Sequence, residues 1–258
     1  MDEKRFAVLI DADNNSRDYI KAVVDEITNE GIITYKRMYG DWTSPQLQSY
    51  KSTLLDFSIT PIQQYSYTSG KNATDSAMII DAMDILYSGN VDGFCLVSSD
   101  SDFTRLAARL REAGMIVIGM GRQQTPKAFV SACNKFKFVD LISNDMAAPA
   151  GRSTKAARKK TDMQKPEKEE ADSKTSLRVI KRAIVKMIEE ASGEDGWMQL
   201  SVIGTMLQNK FSDFDPRNYG FKKMVDLFRN LGFEIRNYQD PNNKKNPNGY
   251  TVFVREKE

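Results

Sequence analysis

Short apolar runs alternate with amphipathic stretches from Phe6 to Leu141, and this alternation limits the fold more than any other feature of the chain. Phe6-Ala7-Val8-Leu9-Ile10 and Gly93-Phe94-Cys95-Leu96-Val97 are apolar at every position, as strands covered on both faces must be. Between them, Arg17 to Glu30 sets Tyr19, Ile20, Val23, Val24 and Ile27 on one helical stripe, and Gly31 stops it. The same reading predicts a strand from Ile32 closed by Gly40-Asp41-Trp42, a helix from Pro45 to Phe57, a strand from Pro61 to Ser66 and a helix from Ala73 to Tyr87. Behind Val97 it predicts a helix from Thr104, a strand over Met115–Ile118, a short helix from Pro126 to Cys133 and a last strand from Phe136 to Leu141. Strands alternating with helices build a mostly parallel sheet with helices on both faces, so the fold class is α/β.

Both apolar runs end on carboxylates: Asp11 after the first, Asp100 and Asp102 after the second. Ligands of open parallel sheets bind outside the C-terminal ends of the strands. An aspartate is also favoured as a helix cap, which accounts for one of Asp100 and Asp102 but not for both. Asp75 falls in the first turn of the helix after Lys71-Asn72. Asp81 lies about 120° round that helix from it, so it is expected behind the site or on the surface, with Asp84 solvated. Carboxylates gathered at one sheet edge repel one another unless a cation lies among them. Mg²⁺ or Mn²⁺ suits such oxygen donors and the hydrolysis of phosphodiesters.

Histidine is absent, so neither a Ser-His-Asp nor a Cys-His arrangement can be built. Cys95 and Cys133 are the two cysteines, too few for a disulfide framework or a zinc site. No secretory stretch follows Met1-Asp2-Glu3-Lys4-Arg5 and no apolar run is long enough to span a bilayer, so a cytoplasmic protein without membrane partners is expected. Gly119-Met120-Gly121 lacks the third glycine of a dinucleotide fingerprint and reads as a turn.

Composition divides the chain in three. Residues 1–146 hold 15 Lys/Arg and 19 Asp/Glu, a net of −4. Residues 147–175 are rich in Lys, Arg and Glu with Met163 as the only large apolar side chain, which predicts a flexible charged linker; its basic half runs from Arg152 to Lys160. Residues 177–258 hold 14 and 11, a net of +3. In the last part, 176–258, Ser176 begins a helix striped by Leu177, Ile180, Ile184, Val185 and Ile188, and a second runs from Leu200 to Asn209. A third is predicted from Asp215-Pro216 to Asn230, with Phe221, Met224, Val225 and Phe228 inward. Phe233–Arg236 and Tyr250–Val254 then pair around a polar loop, which makes a winged helix-turn-helix.

Ile10-Asp11-Ala12-Asp13-Asn14, Lys71-Asn72-Ala73-Thr74-Asp75 and Val97-Ser98-Ser99-Asp100-Ser101-Asp102-Phe103 together resemble the three acidic motifs of NYN domains, in the LabA-like branch of the PIN-like nuclease superfamily. The resemblance covers roughly residues 4–143. It implies a PIN-like three-layer α/β/α fold and a Mg²⁺- or Mn²⁺-dependent ribonuclease in which Asp11, Asp75, Asp100 and Asp102 are the metal-binding and catalytic residues. Asp13 stands where the family more often has a small or neutral residue. Asp13, Asn14, Lys71 and Ser99 are further candidates to line the site, and Ser98, Ser99 and Ser101 to donate hydrogen bonds to substrate. Ile203-Gly204-Thr205-Met206-Leu207, Phe211 and Arg217 to Met224 resemble the OST-HTH or LOTUS domain over roughly 176–256, which implies RNA binding or protein docking.

Single-stranded RNA is thus the expected partner, with a protein partner for the C-terminal domain as a second possibility. Trp42 is a candidate base-stacking residue; Arg105, Lys222, Arg229, Lys244 and Lys245 are candidate phosphate contacts, and Arg109 and Arg122 are candidates to edge a groove. Two other readings stay open: an RNA-binding adaptor without catalysis, and a phosphatase or phosphotransferase with Asp11 as nucleophile. The second leans on a likeness of Asp11-Ala12-Asp13 to the haloacid dehalogenase opening, which expects Thr or Val where Asn15 stands.

Overall fold

A computed structural model of the chain describes residues 3–65, 73–147, 174–192, 195–239 and 250–257. Six strands, β1 (Arg5–Asp11), β2 (Ile32–Gly40), β3 (Thr60–Gln63), β4 (Gly93–Val97), β5 (Ile116–Gly121) and β6 (Lys135–Phe138), form one sheet in the order β3-β2-β1-β4-β5-β6. Every neighbouring pair is parallel. The strand order reverses between β1 and β4, where Ile10 lies opposite Val97. A crevice opens outside the carboxyl ends at such a reversal.

Six helices return the chain between and after these strands: α1 (Ile20–Thr28), α2 (Lys51–Asp56), α3 (Ala73–Ser88), α4 (Thr104–Glu112), α5 (Lys127–Ala132) and α6 (Val139–Ala147). Alternate residues of β1 feed two cores. Ala7 and Leu9 join Met78, Phe94, Phe103, Phe129 and Phe136 on the α3–α4–α5 side. Phe6, Val8 and Ile10 join Ile20, Val23, Cys95 and Val139 on the α1–α2–α6 side. Beyond the exposed Arg5, both faces of β1 are buried from Phe6 to Ile10, each large apolar side chain contributes about 1.5–3 kcal/mol, and every position of that run is apolar up to Asp11.

Some boundaries differ from those expected. Gly119-Met120-Gly121 is not a turn but the end of β5. A Cβ on Gly121 would come within 2.6 Å of the Ser98 carbonyl oxygen, so the two strands close against each other only because the residue is glycine. The predicted last strand ends at Phe138, because Val139 and Ile142 bury at helical spacing and open α6.

The C-terminal unit holds α7 (Leu177–Ala191), β7 (Met198–Gln199), α8 (Leu200–Lys210), α9 (Met224–Asn230), β8 (Glu234–Gln239) and β9 (Tyr250–Arg255). Its sheet runs β7-β9-β8, all antiparallel, so a short strand joins the expected hairpin. The helix predicted from Asp215 to Asn230 is interrupted: a 3₁₀ turn over Pro216–Tyr219 ends at Gly220, whose φ of +80° no L-residue adopts cheaply, and α9 starts afresh at Met224. Residues 148–173, most of the expected linker, lie outside the described residues, as do Lys71, Lys244 and Lys245. No helix among the described residues is long and apolar enough to cross a membrane.

The two units touch. Arg217 grips Glu26 of α1 with both terminal nitrogens, at 3.0 and 2.8 Å, and Lys137 of β6 reaches the same carboxylate at 2.8 Å. The Phe136 amide donates to the Ser212 carbonyl at 2.6 Å, and the Ser212 hydroxyl to the Val130 carbonyl at 2.9 Å.

Candidate active site

Asp11 closes β1 at the strand-order reversal and is fully buried. Its Oδ1 accepts the backbone amides of Asp13 and Asn14 at 3.0 and 3.3 Å. Its Oδ2 accepts Asn14 Nδ2 at 2.7 Å and Ser98 Oγ at 2.8 Å. Burial pushes its carboxyl pKa up, and these donors only partly offset that. Asn14 is thereby spent on Asp11. Ser98, too, is buried and spent there rather than aimed at a substrate; its oxygen also accepts the Asp100 amide at 3.0 Å.

Asp100 follows β4 and caps the 3₁₀ turn Ser101–Phe103, accepting the Asp102 amide at 2.9 Å. The aspartate preference at helix starts therefore operates here, yet it uses one oxygen of one residue. Asp102 stands in that turn, exposed, and Asp75 in the first turn of α3, buried. One carboxylate oxygen from each of Asp75, Asp100 and Asp102 lies within 4.8 Å of the others. Asp11 is not one of these three; it stands close enough to act on Asp75 through its charge. Burial, followed by the charges of Asp11, Asp100, Asp102 and Asp13, pushes Asp75 up to about 6. Three hard carboxylate oxygens brought this close together are a donor set that fits a small divalent cation.

The remaining candidates separate. Asp13 is exposed and accepts the Thr74 hydroxyl at 2.9 Å, which ties the β1 loop to the start of α3. Ser99 accepts the Arg122 amide at 2.9 Å and joins the ends of β4 and β5. Asp81 is engaged by Arg37 and the Tyr39 hydroxyl and is not one of the three clustered carboxylates. Trp42 packs edge-on against Tyr50, its indole donating to the Ile62 carbonyl at 3.0 Å. Arg105 is exposed on α4. Lys222 and Arg229 are exposed in the C-terminal unit, Arg229 near Asp226 at 3.8 Å.

Asn15, not a site candidate from the sequence, holds the crevice together. Its Nδ2 donates to the backbone carbonyls of Asp11 and Val97, both at 2.8 Å, and so pins the ends of β1 and β4; its backbone carbonyl receives the Tyr50 hydroxyl. The signal available in the sequence was the polar run Asp13-Asn14-Asn15 directly after an apolar strand.

The NYN domain family matches residues 5–141, and the OST-HTH/LOTUS domain family matches residues 175–245. Among solved structures, a crystal structure of a protein of unknown function from Vibrio parahaemolyticus is 19% identical, covers 54% of this chain and 94% of its own, and has a TM-score of 0.44. A solution structure of an uncharacterized protein from Nitrosomonas europaea is 25% identical over 42% of this chain and 93% of its own, with a TM-score of 0.27. No curated protein matches the chain.

Proposed function

Because the chain belongs to the NYN family, a PIN-like nuclease group, and carries an OST-HTH/LOTUS domain behind it, we propose that it is a metal-dependent ribonuclease acting on single-stranded RNA. The observation that carries this reading is the approach of the Asp75, Asp100 and Asp102 carboxylates to within 4.8 Å at the mouth of a parallel sheet. These three residues would hold Mg²⁺ or Mn²⁺, which when bound supplies Lewis acidity at the phosphate.

The chain's own residues do the rest. Asp11, locked by Asn14, Ser98 and two amides, holds the β1 and β4 ends in register beneath the cluster. Asp100 and Asp102 are fixed relative to each other by the cap between them. Asp75 is supplied by a third element, α3, so the cluster forms only when that helix is seated. A phosphatase route through Asp11 is disfavoured: a nucleophile needs an open approach, and Asp11 has neither exposure nor an oxygen without a donor.

The C-terminal domain is the RNA-binding partner of the nuclease unit in this reading, and a LabA-like bacterial protein with cytoplasmic RNA as substrate is the setting it fits. Labelled single-stranded RNA should be cut with Mg²⁺ or Mn²⁺ and stay intact with EDTA, while small phosphate monoesters are left alone. Intact RNA under every metal condition, in a protein that binds RNA, would leave the adaptor reading in its place.

A further inference from the structure

A cleft of about 1250 Å³ runs along the junction of the two units. One wall comes from the nuclease unit: Arg111 in the last turn of α4, Lys127 at the start of α5 and Lys135 at the start of β6. The other wall presents Lys174 and Lys210, the last residue of α8. Asp213 is the single carboxylate of the lining, and both its oxygens are spent on Thr175, through the amide and the hydroxyl. Lys135 is paired with Glu30 at 2.7 Å. The other four cations make no ion pair among the described residues. Arg111 donates to the Ser131 and Ala132 carbonyls, Lys174 donates to the Asn218 carbonyl, and Lys210 stands 5.9 Å above the Phe211 ring. A cleft with walls of one sign focuses its field on whatever anion enters.

The shape of the lining selects among anions. Lys127 begins α5 just after β5 has left the carboxylate edge of the sheet, whereas Lys135 begins β6 at the opposite edge. The cations therefore follow the flank of the sheet from one edge to the other instead of converging on a point. A compact anion would meet one or two of them; a chain of phosphates meets them in succession. We infer that this cleft binds the sugar-phosphate backbone of single-stranded RNA and leads it from the C-terminal unit toward the carboxylate edge. The inference rests on RNA being the substrate and assigns it a path that neither unit offers alone.

The test measures binding without cleavage, using a fluorescent single-stranded 2′-O-methyl oligonucleotide and the full chain. Reversal of two exposed cleft lysines, Lys127→Glu with Lys210→Glu, should weaken binding by about tenfold at low salt and reduce the slope of log K against log[salt] by about 1.4, two single-strand phosphate contacts. A control pair with the same change in net charge, Lys51→Glu with Lys186→Glu, exposed and outside the cleft, should shift binding by no more than about twofold. Thermal unfolding verifies that both pairs fold, and Lys127→Gln with Lys210→Gln repeats the test without new negative charge. Equal losses in the two pairs, or no loss in the cleft pair, would overturn the inference. Failure of the nuclease reading would look different, as unmodified RNA bound through the cleft but left uncut.

Discussion

The Ser98 hydroxyl joins the ends of two strands, donating to Asp11 Oδ2 at 2.8 Å while accepting the Asp100 amide at 3.0 Å. A buried carboxylate thus shares one small side chain with the backbone that aims its neighbour. Ser98→Ala keeps the packing nearly unchanged and leaves Asp11 short of a donor where no water replaces it. It should cost about 1–3 kcal/mol in urea unfolding and lower cleavage as well. An unchanged unfolding midpoint would mean that Asp11 does not depend on this bond.

Asp75 carries a pH signature. Its folded pKa of about 6 lies above the unfolded value of 3.8, so the native state holds the proton more tightly. Its stabilising contribution is full below pH 3.8 and is lost as pH rises through 6, a swing on the order of 3 kcal/mol. In EDTA, Asp75→Asn should flatten the stability profile between pH 4 and 6 and raise stability at pH 8. Added Mn²⁺ should stabilise the parent protein above pH 6 and the variant much less. Parallel pH profiles for parent and variant would count against the crowded carboxylates.

Asp100→Asn removes charge from the cluster while an amide oxygen remains to cap the Asp102 amide. Manganese affinity measured by calorimetry should fall by at least about 10-fold and RNA cleavage by about 100-fold, with the thermal midpoint nearly unchanged. Undiminished affinity would remove Asp100 from the metal site.

Glu26 reports on the junction. Burial by itself would raise its pKa, but hydrogen bonds from Arg217 and Lys137 and their charges bring it down to about 2. Its contribution is present above the unfolded value of 4.5 and is lost as pH falls through 2, on the order of 3 kcal/mol. Glu26→Gln should remove this slope and loosen the two units, seen as a larger radius of gyration in X-ray scattering at pH 7. Scattering identical to the parent would show that other contacts suffice to hold the junction.

The fold was legible because burial on both faces leaves a plain trace: β1 and β4 are uninterrupted apolar runs, and each stops at a carboxylate. Asp75 was legible through its position in the first turn of α3. Boundaries governed by tertiary contact were less so. Phe138 to Leu141 has the composition of a strand, and only the packing of Val139 and Ile142 turns it into α6. Roles that depend on long-range partners were hidden altogether. Nothing near Asn15 in the sequence signals a bond to Val97, and nothing near Arg217 points to Glu26, 191 positions away.

The hydrogen bond from the Phe136 amide to the Ser212 carbonyl has a consequence for how this protein can be handled. β6 is one of the two outer strands of a parallel sheet, and an uncovered outer strand invites pairing with another chain. Here the loop after α8 occupies that position, so the C-terminal unit serves its neighbour as a shield against self-association. A protein cut after residue 147 would keep its six strands and lose the shield. Its solubility, rather than its fold, is where the truncation would be felt first.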